Sequence, residues 1–382
     1  MPSRLFPIFA PYNHPIALFV LALAVAGCTG GPETVHPVLT VLQCGRLSVP
    51  NSAGTACEPL RTTGVAERAI EFPSKGTPGG LITLRGSLTT PKFEPGTEPP
   101  SRLPAALLIH GSGPQSQDGV LPADLKGPFA APVPTLKDLA AALAARGFVV
   151  LRFDKRTCTA QAQPNCTYPL EIATRAGWDD LLGDVEAAAS FLGSQPSVDT
   201  NDIVLVGHSQ GATLALLAGQ KIKPSAYVLL AGLYQPVDKA LVRQVRWQID
   251  QSADKLSAKD KKAAENKLAE IESSMLAIRQ GYWPAEEKLL GAPGAFWKRR
   301  IEDGEKAQTL IPTAAAPILY LRGDDDEDAA AVDLDGFRTA LKGKRGSTAA
   351  ALPGLSHGLH DRGGPGKVSA KATDAILAWL TP

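Results

Sequence analysis

The chain has few cysteines and methionines, five and two among 382 residues, and no excess of either charge. Its 39 Lys and Arg against 38 Asp and Glu leave a formal net charge of +1 at pH 7. So balanced a surface projects no broad positive field, which argues against nucleic acid as a partner. No internal repeat is visible. No C-x-x-C pair or cysteine–histidine spacing marks a zinc site, and the acidic run near residue 325 matches no EF-hand loop. The segment "GGPGK" near the C-terminus lacks the Walker spacing and the hydroxyl after its lysine, so nucleotide binding is set aside. No metal and no organic cofactor is therefore implied. What is present, 44% hydrophobic and 20% charged residues, is enough to bury a large core in one large α/β domain or two smaller ones.

The N-terminus carries one basic residue, Arg4, then an apolar run over 16–27 that is shorter than the ~20 residues of a membrane-crossing helix. It reads as an export signal over 1–27. Its end, Val25-Ala26-Gly27-Cys28, resembles the lipobox of bacterial lipoproteins, in which the cysteine after the cut is lipidated; Thr29 then suits an outer-membrane address. The expectation is an exported, envelope-facing protein held on a membrane by lipid at Cys28. In an oxidising compartment the other four cysteines are expected to pair. Short loops close at least entropic cost, which gives Cys44 with Cys57 and Cys158 with Cys166.

Residues 28–65 are polar and unpatterned, suiting a tether with a stapled loop. From 66 to 382 strands and helices alternate. Strands are expected at "AERAIEF", "LITLRGSL", "AALLIH", "FVVLRF", "IVLVGH", "AYVLLAG", "PILYLRG" and "TAAALPG", with amphipathic helices between the later ones. Thr135 and Asp138 read as the capping pair of a helix that stops at Gly147. Such alternation makes an α/β fold with a mainly parallel sheet and helices on both faces. The stretch 235–309 breaks the rhythm: Leu241, Val245 and Ile249, then Leu268, Ile271 and Met275, mark helices with heavily charged outer faces, read as an inserted helical lid.

Gly207-His208-Ser209-Gln210-Gly211 matches G-x-S-x-G between a buried strand and a helix, the setting in which a sharp turn presents a nucleophilic serine. A serine hydroxyl needs a base. Of six histidines, His14 lies in the signal, His36 in the tether, His110 at a strand end, and His208 beside the serine but pointing elsewhere. His357 and His360 remain, in "LPGLSHGLHD", with His357 preferred. The acid that orients this base is sought in "RGDDDED": Asp326 first, with Asp325 and Asp328 as rivals. The order serine, aspartate, histidine is that of α/β-hydrolases. After the first buried strand, "IHGSGP" exposes backbone N–H groups, and the amides of Ser112 and Gln210 together suit an oxyanion.

"HGSGP", "LAARGFVVLRFDKRT", "GHSQGA" and "PILYLRGDDD" followed by "LPGLSH" together resemble the α/β-hydrolase superfamily, in particular bacterial serine esterases of the dienelactone-hydrolase-like and acyl-peptidase-like kind. The resemblance covers about residue 66 to the C-terminus. It implies Ser209 as nucleophile, Asp326 as acid by the Gly-x-x-Asp spacing from Gly323, His357 as base, and Ser112 and Gln210 as oxyanion donors. It gives Asp154-Lys155-Arg156 a loop-bracing role. Where relatives continue with an Asp-Arg-Asp-like run, this chain has Gln115-Ser116-Gln117-Asp118, so substrate contacts there do not transfer. The implied activity is hydrolysis of small or medium acyl esters by a serine carboxylesterase. A peptidase or amidase with the same triad is one alternative, and a non-catalytic envelope binding protein is another. Oligomeric state is not read from the sequence.

Overall fold

The computed structural model describes residues 44–382 except 45, 51–52, 54, 77–78, 97–98, 121–132, 164, 327, 362–363, 365 and 382. The expected signal segment, Cys28 and the tether up to residue 43 lie outside the described residues. A short hairpin, β1 (Ser48–Pro50) and β2 (Cys57–Pro59), opens the chain. It is closed by the expected Cys44–Cys57 bridge, with Cα atoms 5.4 Å apart.

An antiparallel pair follows, β3 (Thr62–Lys75) and β4 (Leu81–Phe93). Then come β5 (Leu103–Ile109), α1 (Thr135–Ala144), β6 (Val149–Phe153), α2 (Leu170–Arg175), α3 (Trp178–Gly193), β7 (Val198–His208), α4 (Gln210–Ile222) and β8 (Ala226–Leu230). An insertion holds α5 (Val237–Ser252), α6 (Ala258–Gln280), a small hairpin of β9 (Lys288–Leu289) and β10 (Ala292–Pro293), and α7 (Gly294–Thr313). The chain ends with β11 (Ile318–Gly323), α8 (Ala331–Ala340), β12 (Thr348–Leu352) and α9 (Ala370–Leu380).

One eight-stranded sheet runs in the order β12-β11-β8-β7-β5-β6-β4-β3. It is parallel from β12 to β6, and β4 and β3 complete it antiparallel. Side chains alternate across a strand, and the two cores show it. Ala105, Leu107, Ile109 and Leu205 pack with α3, α4 and α8 on one face. Ala106, Leu108, Val204 and Val206 pack with α1 and α9 on the other. The strand order reverses around β5: the chain goes to β6 by way of α1 on one face, and leaves β7 into α4 on the other. Loops that diverge in this way leave a crevice at the carboxyl ends of the strands, the place where open α/β sheets bind ligands.

Three expectations shift. The hydrolase-like unit begins before residue 66: β3 starts at Thr62, Leu47 is buried in the core under α1 and α9, and Arg46 bonds Asp202 at 2.8 Å. The polar look of this segment hid side chains whose partners lie far along the chain. The inserted helices extend past 309 to Thr313. Thr135 and Asp138 are not a capping pair, because Pro134 holds the N-cap position. The Thr135 hydroxyl donates to the Gly358 carbonyl at 3.3 Å, and the Asp138 carboxylate accepts from the Val368 N–H at 2.9 Å. Both side chains are spent on tertiary bonds that tie α1 to the segment after β12.

Candidate active site

β7 ends at His208 and α4 begins at Gln210, so Ser209 alone makes the turn between them. Its backbone sits at φ 53° and ψ −118°, a region that costs a non-glycine residue energy and persists only where the surroundings impose it. Its N–H donates to the Leu230 carbonyl at 2.7 Å, fastening the turn to β8. The flanking glycines have steric reasons. A Cβ on Gly207 would strike the Gly211 carbonyl, and one on Gly211 would strike the Ile109 carbonyl of β5. The result is a partly exposed hydroxyl at the rim of the sheet.

Beyond β11, Asp326 is fully buried, and its two carboxylate oxygens accept from His357 Nδ1 at 2.9 and 3.0 Å. The Ala329 N–H holds one of those oxygens at 2.9 Å, and Arg322 donates to the backbone carbonyl of Asp326, so the carboxylate and the backbone that carries it are both held. With Nδ1 on the carboxylate, His357 keeps Nε2 for proton exchange. Burial opposes charge on this imidazole, but the Asp326 and Asp328 carboxylates outweigh it and push its pKa up to about 9. Of the rival acids, Asp328 adds its field to the imidazole, while the carboxylate bonded to Nδ1 is that of Asp326. His360 is turned away, bonded through Nδ1 to the Ser356 hydroxyl at 2.6 Å. Asp326, Asp328 and His357 bring ligand-type atoms within 4.8 Å of one another, but the imidazole nitrogen facing the acid is the one already bonded to Asp326.

His208 does not point elsewhere. Its Nε2–H donates to the His357 carbonyl at 2.8 Å, and the two rings lie 4.9 Å apart. Burial and the neighbouring imidazole lower its pKa to about 4, which keeps it neutral. No local pattern announces this role; only the fold brings the 357 loop over the elbow.

The Gly111–Ser112 turn leaves β5 alongside. Gln115 brackets it, accepting from the Gly111 N–H at 3.1 Å and donating to the Ser112 carbonyl at 3.0 Å. Gln210 is the first residue of α4, so its N–H has no acceptor within the helix. The ammonium of Lys155 reaches both, donating to the Gly111 carbonyl at 2.7 Å and to Gln210 Oε1 at 2.6 Å. From the insertion, Arg300 donates to the Ser112 hydroxyl at 2.8 Å, and it lines a cavity with Trp178, Val237, Gly304, Ser209 and Gln210. The insertion thus meets the site, as a lid would. The stretch around Lys155 carries no signal of the direction its side chain takes, and the charged pattern of α7 does not single out Arg300. The expected Cys158–Cys166 bridge also forms, with Cα atoms 5.2 Å apart.

A mainly parallel sheet, a strained serine elbow at its centre and a buried acid paired with an imidazole beyond the last strands define the class: the chain belongs to the alpha/beta hydrolase family, whose model matches residues 106–365. Among particular proteins it is similar to Esterase EstD of Thermotoga maritima, 24% identical over 307 residues, which covers 78% of this chain and 65% of that one. The chain thus spans just under two thirds of that relative. Solved structures similar to it include Est1E from Butyrivibrio proteoclasticus (14% identity, 81% of this chain and 98% of that one, TM-score 0.47) and the Pyrococcus horikoshii acylaminoacyl peptidase (15%, 83% and 41%, TM-score 0.48).

Proposed function

We propose that this protein is a serine hydrolase, a carboxylesterase that cleaves small or medium acyl esters through an acyl-enzyme. The observation that carries the reading is the Asp326–His357 pair, on a loop that His208, the residue before the strained Ser209, holds by a 2.8 Å hydrogen bond. In this mechanism Ser209 Oγ attacks the ester carbonyl carbon while its proton passes to His357 Nε2. Asp326 fixes the tautomer and stabilises the imidazolium. The carbonyl oxygen becomes an oxyanion facing the Ser112 and Gln210 amides, and its collapse expels the alcohol, which takes the proton from His357. Water then repeats the sequence and frees the acid. The likeness to an esterase supports ester over amide as the substrate class.

The test is labelling by a fluorophosphonate probe together with turnover of p-nitrophenyl esters against aminoacyl and peptidyl amides. Wild type is expected to label and to turn over esters, and Ser209→Ala to lose both. Faster amide cleavage would assign the same triad to a peptidase, and binding without turnover would leave a non-catalytic envelope protein.

For location, the reading is export and lipid attachment at Cys28. Among the described residues no helix is long and apolar enough to cross a membrane; in this reading the lipid at Cys28 is what retains the protein in the membrane fraction. Palmitate labelling that is lost in Cys28→Ser checks it.

A further inference from the structure

Lys155 is only 5% exposed, yet both hydrogen-bond acceptors of its ammonium are neutral oxygens, Gly111 O and Gln210 Oε1. Among the described residues no carboxylate stands within ion-pair distance of it. Arg300, at the same turn, likewise bonds a neutral oxygen, the Ser112 hydroxyl. Two cations therefore flank the Ser112 and Gln210 amides with no anion between them. Burying an ammonium without a counter-charge is costly. Burial, aided by the Arg300 charge and opposed by the more distant Asp184 carboxylate, brings the Lys155 pKa down to about 7.

The geometry gives that cost a use. The Gly111 carbonyl and the Ser112 N–H belong to one planar peptide group and point in opposite directions. An ammonium bonded to the carbonyl oxygen therefore sets the direction of that N–H and draws electron density away from it, making it a stronger donor. The same ammonium holds the side chain of Gln210, whose backbone N–H is the other donor. An ester substrate is neutral, so the positive field meets a charge at close range in the site only when the tetrahedral oxyanion forms. Such an interaction is stronger in the transition state than in the ground state.

We propose that Lys155 is a positioning residue of the oxyanion hole: its ammonium orients and polarises the Ser112 and Gln210 donors and supplies the positive field that the oxyanion meets. The proposal rests on the serine-hydrolase reading above.

The experiment compares wild type with Lys155→Met, a neutral chain of similar length, and Lys155→Gln, which keeps a donor without charge. Two inhibitors are used. An alkyl trifluoromethyl ketone takes Ser209 Oγ onto its carbonyl carbon, passes the serine proton to His357 and leaves a hemiketal oxyanion; the matching secondary alcohol cannot. Expected in both variants is a fall in kcat of about 100-fold, near the effect of removing one oxyanion donor, with KM within about threefold. The ketone Ki should rise by the factor by which kcat/KM falls, while the alcohol Ki stays put. Should Lys155→Met fail to fold, Lys155→Gln carries the test. Wild-type kcat in a folded variant would overturn the proposal, and so would parallel loss of ketone and alcohol affinity, the mark of a brace alone. A wild type that neither labels with fluorophosphonate nor prefers the ketone to the alcohol would instead remove the serine-hydrolase reading, and this proposal with it.

Discussion

The ring of His208 donates to the backbone carbonyl of His357 at 2.8 Å, across 149 residues of sequence. The residue before the proposed nucleophile thus anchors the loop that carries the proposed base. A hydrogen bond of this kind contributes about 0.5–1.5 kcal/mol. His208→Ala is expected to lower kcat/KM about tenfold, the equivalent of about 1.4 kcal/mol, and to slow fluorophosphonate labelling in proportion. His208→Gln, which keeps a donor, should recover part of the loss. Unchanged labelling in the alanine variant would show that the loop is held by other contacts.

How far the sequence foretold this site depends on what each residue needs. Ser209 was legible because its constraint is local: a strand, a turn too tight for side chains at 207 and 211, and a helix all sit within a few residues. The paired cysteines were legible for the same reason. Asp326 stands out among three neighbouring carboxylates through the Gly-x-x-Asp spacing alone; the physical reason, the Ala329 N–H that holds its carboxylate beside His357, appears only in the fold. Lys155, Arg300 and His208 act across gaps that no spacing reveals. The segment after Cys44 misled by composition: Arg46 and Leu47 have partners on β7 and under α9 that only the closed fold supplies.

The pH profile should carry two signatures with opposite requirements. His357 must be neutral to take a proton, and with its pKa near 9 it is mostly charged at neutrality. Lys155 must be charged, and its pKa near 7 means that it is mostly neutral above that. kcat/KM, which reports the free enzyme, is therefore expected to rise about tenfold per pH unit up to about 7. It should stay level to about 9 and fall beyond. Asp328→Asn removes one of the carboxylates that raise His357, so the upper limb should move to lower pH and the plateau should rise. Lys155→Met should abolish the upper limb, leaving activity that climbs to about 9. For stability the sign is separate. A folded-state pKa above the ordinary 6.5 means that the charged His357 contributes fully below about 6.5 and loses that contribution as pH rises through about 9.

The two disulfides should separate stability from catalysis. Cys44–Cys57 closes the first hairpin, whose neighbours Arg46 and Thr62 bond Asp202 and Ala145, at the end of the sheet opposite the elbow. Cys158–Cys166 closes a loop whose Gln163 donates to the carbonyls of Pro114, at 3.2 Å, and Val120. Pro114 lies two residues beyond Ser112, so this bridge holds the turn that carries an oxyanion donor. Removing either bridge by paired Cys→Ser substitution restores the entropy of a short loop to the unfolded chain and should cost about 2–3 kcal/mol in denaturant unfolding. Only the Cys158→Ser, Cys166→Ser pair should also lower kcat, because only there does the freed loop touch the site. Equal kcat in the two variants, measured where both remain folded, would mean that the Pro114 segment keeps its place without Gln163.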